Sequence, residues 1–224
     1  MADPTVSPRF VLASASPRRR ELLASLGLDF AVRPVDVPEV PEPGEAAARY
    51  VLRLARQKAA ADARPGELVL AADTVVVLAP EPGEEVAGEE AEGGHPGELL
   101  LEKPVDAADA RRMLARIAGR RHTVLTGVAL LRPAAGGETA AEVTEVVASM
   151  VRMAPLTAAE IDWYVATGEP MDKAGAYAIQ GLGAMFVDAV EGNYTNVVGL
   201  PLPTVYRLAA ALGHDLRRRV TPRP

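Results

Sequence analysis

The stretch LVLAADTVVVLA, residues 68–79, constrains this chain more than any other. Ten apolar residues are broken only by Asp73 and Thr74, and a run of this kind reads as a long strand. A carboxylate inside it has to be buried or stand at the wall of a cleft. An unpaired buried charge is expensive, so Asp73 calls for a cation or a metal. The residues leave a plainer reading open, an Asp hydrogen-bonded to backbone at a strand end. Lys58 and Lys103 are the partners the sequence offers.

Around this strand, helical and extended patterns alternate. Residues 9–14 read as a short buried strand and 30–35 as a second. The Pro- and Glu-rich 36–45 reads as a loop. Residues 45–62 form an amphipathic helix with Val51, Leu54, Ala55 and Lys58 on one stripe, so Lys58 continues the apolar face. A helix over 106–118 stops at Gly119, and strands at 122–131 and 142–153 are joined through AAGGE as a hairpin. Thr157 and Glu160 form a capping box for a helix at 158–166. The Gly-rich 175–199 carries strand-like pieces near 184–190 and 194–199, and Pro203 opens a last helix. The alternation predicts an α/β fold with a mixed sheet. Residues 80–98 are acidic and Gly-rich, an expected flexible insertion whose His95 reads as solvated.

Composition excludes several classes. The chain has 224 residues, 49% hydrophobic, no cysteine and a net charge of −6. That length buries a core without staples. No disulfide framework or thiolate chemistry is available. No apolar run approaches the ~20 residues of a membrane span, no signal peptide is visible, and basic residues cluster only locally, at 18–20, 111–121 and 217–223. A soluble cytoplasmic protein that binds neither membrane nor nucleic acid is expected.

The basic residues are unevenly chosen: 21 are arginine and three are lysine, namely Lys58, Lys103 and Lys173. An ammonium and a guanidinium are not interchangeable at a tight site, so these lysines are candidate site residues. Arg18, Arg19 and Arg20 raise the converse question. They follow Pro17 at a helix start, with Ser16 at the N-cap, where cations oppose the helix dipole. An anion bound to the first-turn N–H groups, with Ser14 and Ser16 hydroxyls nearby, reverses that cost. Guanidinium forks match phosphate oxygens. A surface helix with snorkelling arginines fits the same residues. In EPMDKAGAYAIQGLG, residues 169–183, Gln180 lies beside a glycine that allows close approach of a ligand. Its amide both donates and accepts, which suits a nucleobase edge, and an ordinary Gly-rich turn fits the same residues.

SASPRRRELLASLG, RLARQKA, AADT, EKP, EPMDKAGAYAIQGLG and VVGLP resemble, in this order from residue 9 to 212, the Maf family of nucleotide pyrophosphatases. The resemblance implies one domain over 1–224: an elongated mixed sheet flanked by helices, in two lobes around a cleft, similar to inosine triphosphate pyrophosphatases. It implies hydrolysis of nucleoside triphosphates to monophosphate and pyrophosphate, a house-cleaning role. Asp73 matches the catalytic carboxylate that activates water. Ser14, Arg18, Arg19, Lys58 and Lys103 match phosphate- and substrate-binding positions. Glu39 and Asp73 match positions holding Mg²⁺, Mn²⁺ or Co²⁺. Arg18, Thr74 and Gln180 match the branch acting on dTTP and UTP, with modified pyrimidine nucleotides as further substrates. The branch acting on 7-methyl-GTP carries Trp, Gln and Glu there. One departure stands out. The family's acidic pair after the second strand reads Pro38–Glu39, with Asp36 nearby, so the first carboxylate is missing. A homodimer is implied, and the family's septum-formation name suggests an alternative role through protein contacts, with the basic helix at 111–121 as the surface.

Overall fold

The computed structural model of the chain describes residues 8–80, 97–134 and 139–220. The acidic insertion with His95, the AAGGE link and the end of the basic tail lie wholly or largely outside these residues. The order is β1 (Arg9–Leu12), α1 (Pro17–Ser25), β2 (Ala31–Val32), α2 (Ala47–Ala60), β3 (Glu67–Leu78), β4 (Leu99–Leu101) and α3 (Ala107–Ile117). It continues with β5 (Arg121–Arg132), β6 (Ala141–Met153), α4 (Ala158–Ala166), β7 (Val187–Glu191), α5 (Tyr194–Val198) and α6 (Leu202–Ala211). No helix among the described residues is long and apolar enough to cross a membrane.

The strands form one mixed sheet in the order β2-β1-β3-β5-β6-β7, with β4 also on β3. β1 runs parallel to β2 and β3, and the other pairs are antiparallel. The central strand has an unusual edge. One side pairs with β5 from Val69 to Val77. The other side pairs with β1 up to Leu70 and with β4 only from Val76, where Leu78 meets Leu99. Ala13 extends β1 by one hydrogen bond to the Leu70 carbonyl. Asp73 and Thr74 lie in the gap, where neither strand covers the edge.

Alternation along β3 sends odd and even residues to opposite faces. Val69, Ala71, Val75 and Val77 face α2, whose buried residues Ala47, Tyr50, Val51, Leu54, Ala55, Lys58 and Ala59 form one stripe at helical spacing. On the other face, Leu68, Leu70 and Ala72 pack beneath α1 and α6, while Val76 and Leu78 pack beneath α3 and α4. Each fully buried aliphatic side chain contributes roughly 1.5–3 kcal/mol. On both faces the core divides at Asp73–Thr74, since a polar pair cannot join an apolar cluster without partners.

Two expectations fail locally. The second strand shrinks to two residues, because only Ala31 and Val32 find rungs on β1. The 194–199 piece is a helix. Val197 and Val198 favour a strand, yet Asn193 caps a helical turn by accepting from the Asn196 N–H at 2.8 Å. The capping box at Thr157 and Glu160 is present as expected.

Helix α2 approaches the sheet closely at one point. A Cβ at Gly127, the β5 residue paired with Asp73, would lie 2.4 Å from the Val51 carbonyl oxygen and 2.8 Å from the Leu52 nitrogen. These are backbone atoms in mid-helix, which cannot yield singly. Gly127→Ala is therefore expected to destabilise the fold by roughly 1–3 kcal/mol, read as a lower urea midpoint with unchanged slope.

Candidate active site

The gap in the β3 edge opens into a cleft of about 450 Å³, within the usual size for a small-molecule site. Its walls come from the turn before α1, the middle of β3, Glu102 and Lys103 after β4, and the 172–180 segment.

Asp73, buried, points to the α2 side. Lys58, in the last turn of α2, donates to its Oδ1 at 2.6 Å. The same ammonium donates to Glu39 Oε1 at 2.5 Å, and Lys103 donates to Glu39 Oε2 at 3.0 Å. Of the two lysines offered by the sequence, Lys58 is the one that binds Asp73. Burial pushes the Asp73 carboxyl up, against the pull of Lys58 and Arg19. Burial also raises Glu39, but the bonds and charges of Lys58 and Lys103 outweigh it and hold that carboxyl at about 2.

Arg19 lies on the other side of the edge. It is buried, and its guanidinium donates to the Gly199 carbonyl at 2.8 Å, to Thr74 Oγ at 3.0 Å and to Ser14 Oγ at 3.3 Å. All three acceptors are neutral, and among the described residues no carboxylate forms an ion pair with it. Burial lowers its pKa, yet a guanidinium stays protonated in proteins. A buried cation whose hydrogen-bond partners among the described residues are all neutral, facing a cleft, is completed by an anion. Thr74 in turn bonds Thr126 at 3.0 Å, so it is fixed from behind. Ser16 occupies the N-cap position, but its hydroxyl caps nothing; its own N–H goes to Ser14 Oγ at 3.2 Å. The first-turn N–H groups of α1 thus have no side-chain cap.

Arg18 behaves differently from its neighbour. It reaches across to the 169–183 segment, donating to the Asp172 carboxylate and carbonyl, each at 2.8 Å. Lys173 turns back on Asp172 and the Glu169 carbonyl. Gln180 lines the cleft, exposed, and its amide has no hydrogen bond among the described residues.

Carboxylate oxygens are hard donors, and Asp73 and Glu39 already share one cation, the Lys58 ammonium. Among the described residues no group of three His, Cys, Asp or Glu could hold a metal ion. The two carboxylates of Asp73 and Glu39 are nevertheless the number that Mg²⁺ or Mn²⁺ would take, with substrate phosphates and water in the remaining positions.

The family model described as Maf-like protein matches residues 9–212. The chain belongs to the Maf family. Among its relatives, a protein of Anaeromyxobacter sp. (strain Fw109-5) is 54% identical over 208 residues, 93% of this chain and 91% of that one. One of Geobacter sulfurreducens is 49% identical over 213 residues, 94% and 96% of the two chains. One of Myxococcus xanthus is 48% identical over 222 residues, 98% and 99%. Each is named dTTP/UTP pyrophosphatase.

Several residues of this Maf cleft carry no signal in the sequence. Glu102 lines it beside Lys103, its carboxylate accepting from the Tyr50 hydroxyl. Burial pushes Glu102 up, with the Asp73 and Glu39 charges adding to the effect. A lone acid next to a lysine looks like any solvated pair. Asp172 is equally silent, since its partner Arg18 is 154 positions away. On α3, Arg111 pairs with Asp162 and Arg112 with Asp109, so part of that basic surface is neutralised locally.

Behind the cleft, Tyr177 bonds buried His122 Nε2 at 2.8 Å. Burial lowers the His122 pKa from 6.5 to about 4. Its neutral form is favoured in the fold, so the unfolded chain binds the extra proton between those values. The stability that the neutral ring preserves is present above pH 6.5 and is lost as pH falls towards 4, by up to about 3 kcal/mol. In thermal melts, the midpoint should fall less steeply over that window in His122→Phe than in the wild type.

Proposed function

We propose that this Maf protein hydrolyses dTTP and UTP to the monophosphate and pyrophosphate. The observation that carries the reading is the pairing of opposites across one strand edge: a buried carboxylate bound by Lys58, and a buried guanidinium, Arg19, bound among the described residues only by neutral oxygens. A polyphosphate supplies the missing anion, and Asp73 supplies a base beside it. The names of the relatives support the chemistry and the pyrimidine substrates. The nucleotide pool it would act on is cytoplasmic.

Asp73 accepts the proton of the water whose oxygen attacks the α-phosphorus; the bond to the bridging oxygen breaks and pyrophosphate leaves. A carboxyl raised by burial is a better base than an ordinary aspartate. Arg19, Lys58, Lys103, Ser14 and the first-turn N–H groups of α1 hold the phosphates, with their donors in place before the charge shifts. Glu39 and Asp73 would hold a divalent cation such as Mg²⁺ or Mn²⁺, which would supply neutralisation of phosphate charge. With Pro38 in place of a second acid, Glu39 alone contributes from that loop. Arg18 acts less on phosphate than on the cleft wall, through Asp172. Gln180 offers its amide to the O4 and N3–H edge of uracil or thymine.

The wild type is expected to release pyrophosphate from dTTP and UTP, and much less from CTP, GTP and 7-methyl-GTP, with Mg²⁺ or Mn²⁺ present. Silence across the whole panel would sink the proposal. Asp73→Asn should lower kcat by about 10²–10⁴-fold while leaving the circular dichroism spectrum unchanged.

Gln180→Glu tests the base contact. A carboxylate cannot donate to O4, so kcat/KM for dTTP should fall at least about tenfold. An unaltered value would remove Gln180 from base reading.

A further inference from the structure

The Gln180 amide has no hydrogen bond among the described residues, yet the turn that carries it is pinned from beneath by one carboxylate. Glu169 Oε1 accepts from the Gly183 N–H at 3.0 Å, and Oε2 accepts from the Leu182 N–H at 2.9 Å. The Tyr164 hydroxyl donates to Glu169 Oε1 at 2.7 Å and accepts from the Ala178 N–H at 3.0 Å. Both ends of the 178–183 turn are therefore tied to one buried tyrosine and one glutamate, and the tyrosine is anchored edge-on against Phe186. The glycines of the turn are required by this contact. A Cβ at Gly181 would lie 2.1 Å from Glu169 Oε2, and one at Gly183 would lie 2.6 Å from the Tyr164 oxygen. Ile179, next to Gln180, packs against both apolar clusters of that face.

We infer that Glu169, through its clamp on the 178–183 turn, is a positioning residue that sets the depth of the base pocket and so the preference for pyrimidine over purine. The inference rests on the reading of Gln180 as the base contact. A single amide distinguishes bases only if its backbone stands at a fixed distance from the opposite wall. A turn free to retreat admits the larger purine ring system. Glu169 is suited to a static role: burial raises its carboxyl, but the Gly183, Tyr164 and Leu182 bonds outweigh that and hold it below the usual range, ionised. Among the described residues its carboxylate bonds only Tyr164 and this turn, while cleft-lining Lys173 meets its backbone carbonyl instead. Asp172, three residues on, ties the same segment to Arg18, so the clamp and the cross-cleft bond brace it from two sides.

The test compares wild type, Glu169→Ala and the milder Glu169→Gln as full-length protein. Equilibrium binding of dTTP and of GTP is measured without divalent metal, so that no turnover is needed, and amide exchange is followed across 178–183. Loss of the carboxylate is expected to speed exchange of those amides about tenfold and to lower the dTTP-to-GTP affinity ratio about tenfold. Glu169→Gln, which keeps one acceptor oxygen, should fall between. Faster exchange with an unchanged affinity ratio would reduce Glu169 to a stabilising contact and overturn the inference, as would unchanged exchange. A wild type that binds both nucleotides alike would overturn the base reading and this inference together. A wild type that discriminates but releases no pyrophosphate with metal would overturn the hydrolysis alone.

Discussion

The Lys58 ammonium lies between two carboxylates, and the middle of the molecule is arranged around it. Asp73 interrupts the most buried strand of the sheet, where an isolated charge would be prohibitive. Lys58 completes the apolar stripe of α2 and would be equally costly alone. Each makes the other tolerable, at 2.6 Å. Such a pair is weak evidence of added stability, because desolvation offsets most of the attraction. Its value is positional. It fixes the register of α2 against β3, and Gly127 lets the helix settle low enough for the bond to form.

The cleft then follows from strand pairing. β1 ends at Leu12 and β4 begins to pair only at Val76, so a short length of β3 has a bare edge. Bare edges are usually blunted by charge, and here the charge at the edge is the candidate base. Because side chains alternate, the same edge sends Asp73 towards Lys58 and Thr74 towards Arg19. Two buried ionic environments of opposite character thus stand one residue apart, without a loop being needed to bring them together.

Much of this was legible in the sequence, and the reasons for the rest are physical. Period and capping located α2, β3, α3 and α4, because their signals are local: the stripe ending in Lys58, the unbroken valines, the Thr157–Glu160 box. Asp73 and Lys58 were each anomalous in their own patterns, and each anomaly pointed to a partner. The motifs carried the family. The contrast between Arg18 and Arg19 was hidden. Adjacent arginines on one helix look alike, and only tertiary contacts with Asp172 and Gly199 separate a rim residue from a buried one. The α5 turn was hidden too, since its valines favour a strand and the Asn193 cap overrides them. Glu169 and Tyr164 gave no sign, because their partners are backbone N–H groups, which every residue has.

The rung joining Leu78 to Leu99 has a consequence for how this chain can vary. The chain leaves the sheet at one residue and returns to its direct neighbour, so this rung closes a loop of whatever length the connection has. The entropy of closing such a loop rises only with the logarithm of its length, about 0.6 kcal/mol for each doubling. An acidic, glycine-rich stretch can therefore lengthen or shorten here without shifting β4, Glu102 or Lys103. Insertion at this point leaves the cleft's register untouched, whereas the same residues added between β2 and α2 would displace Glu39.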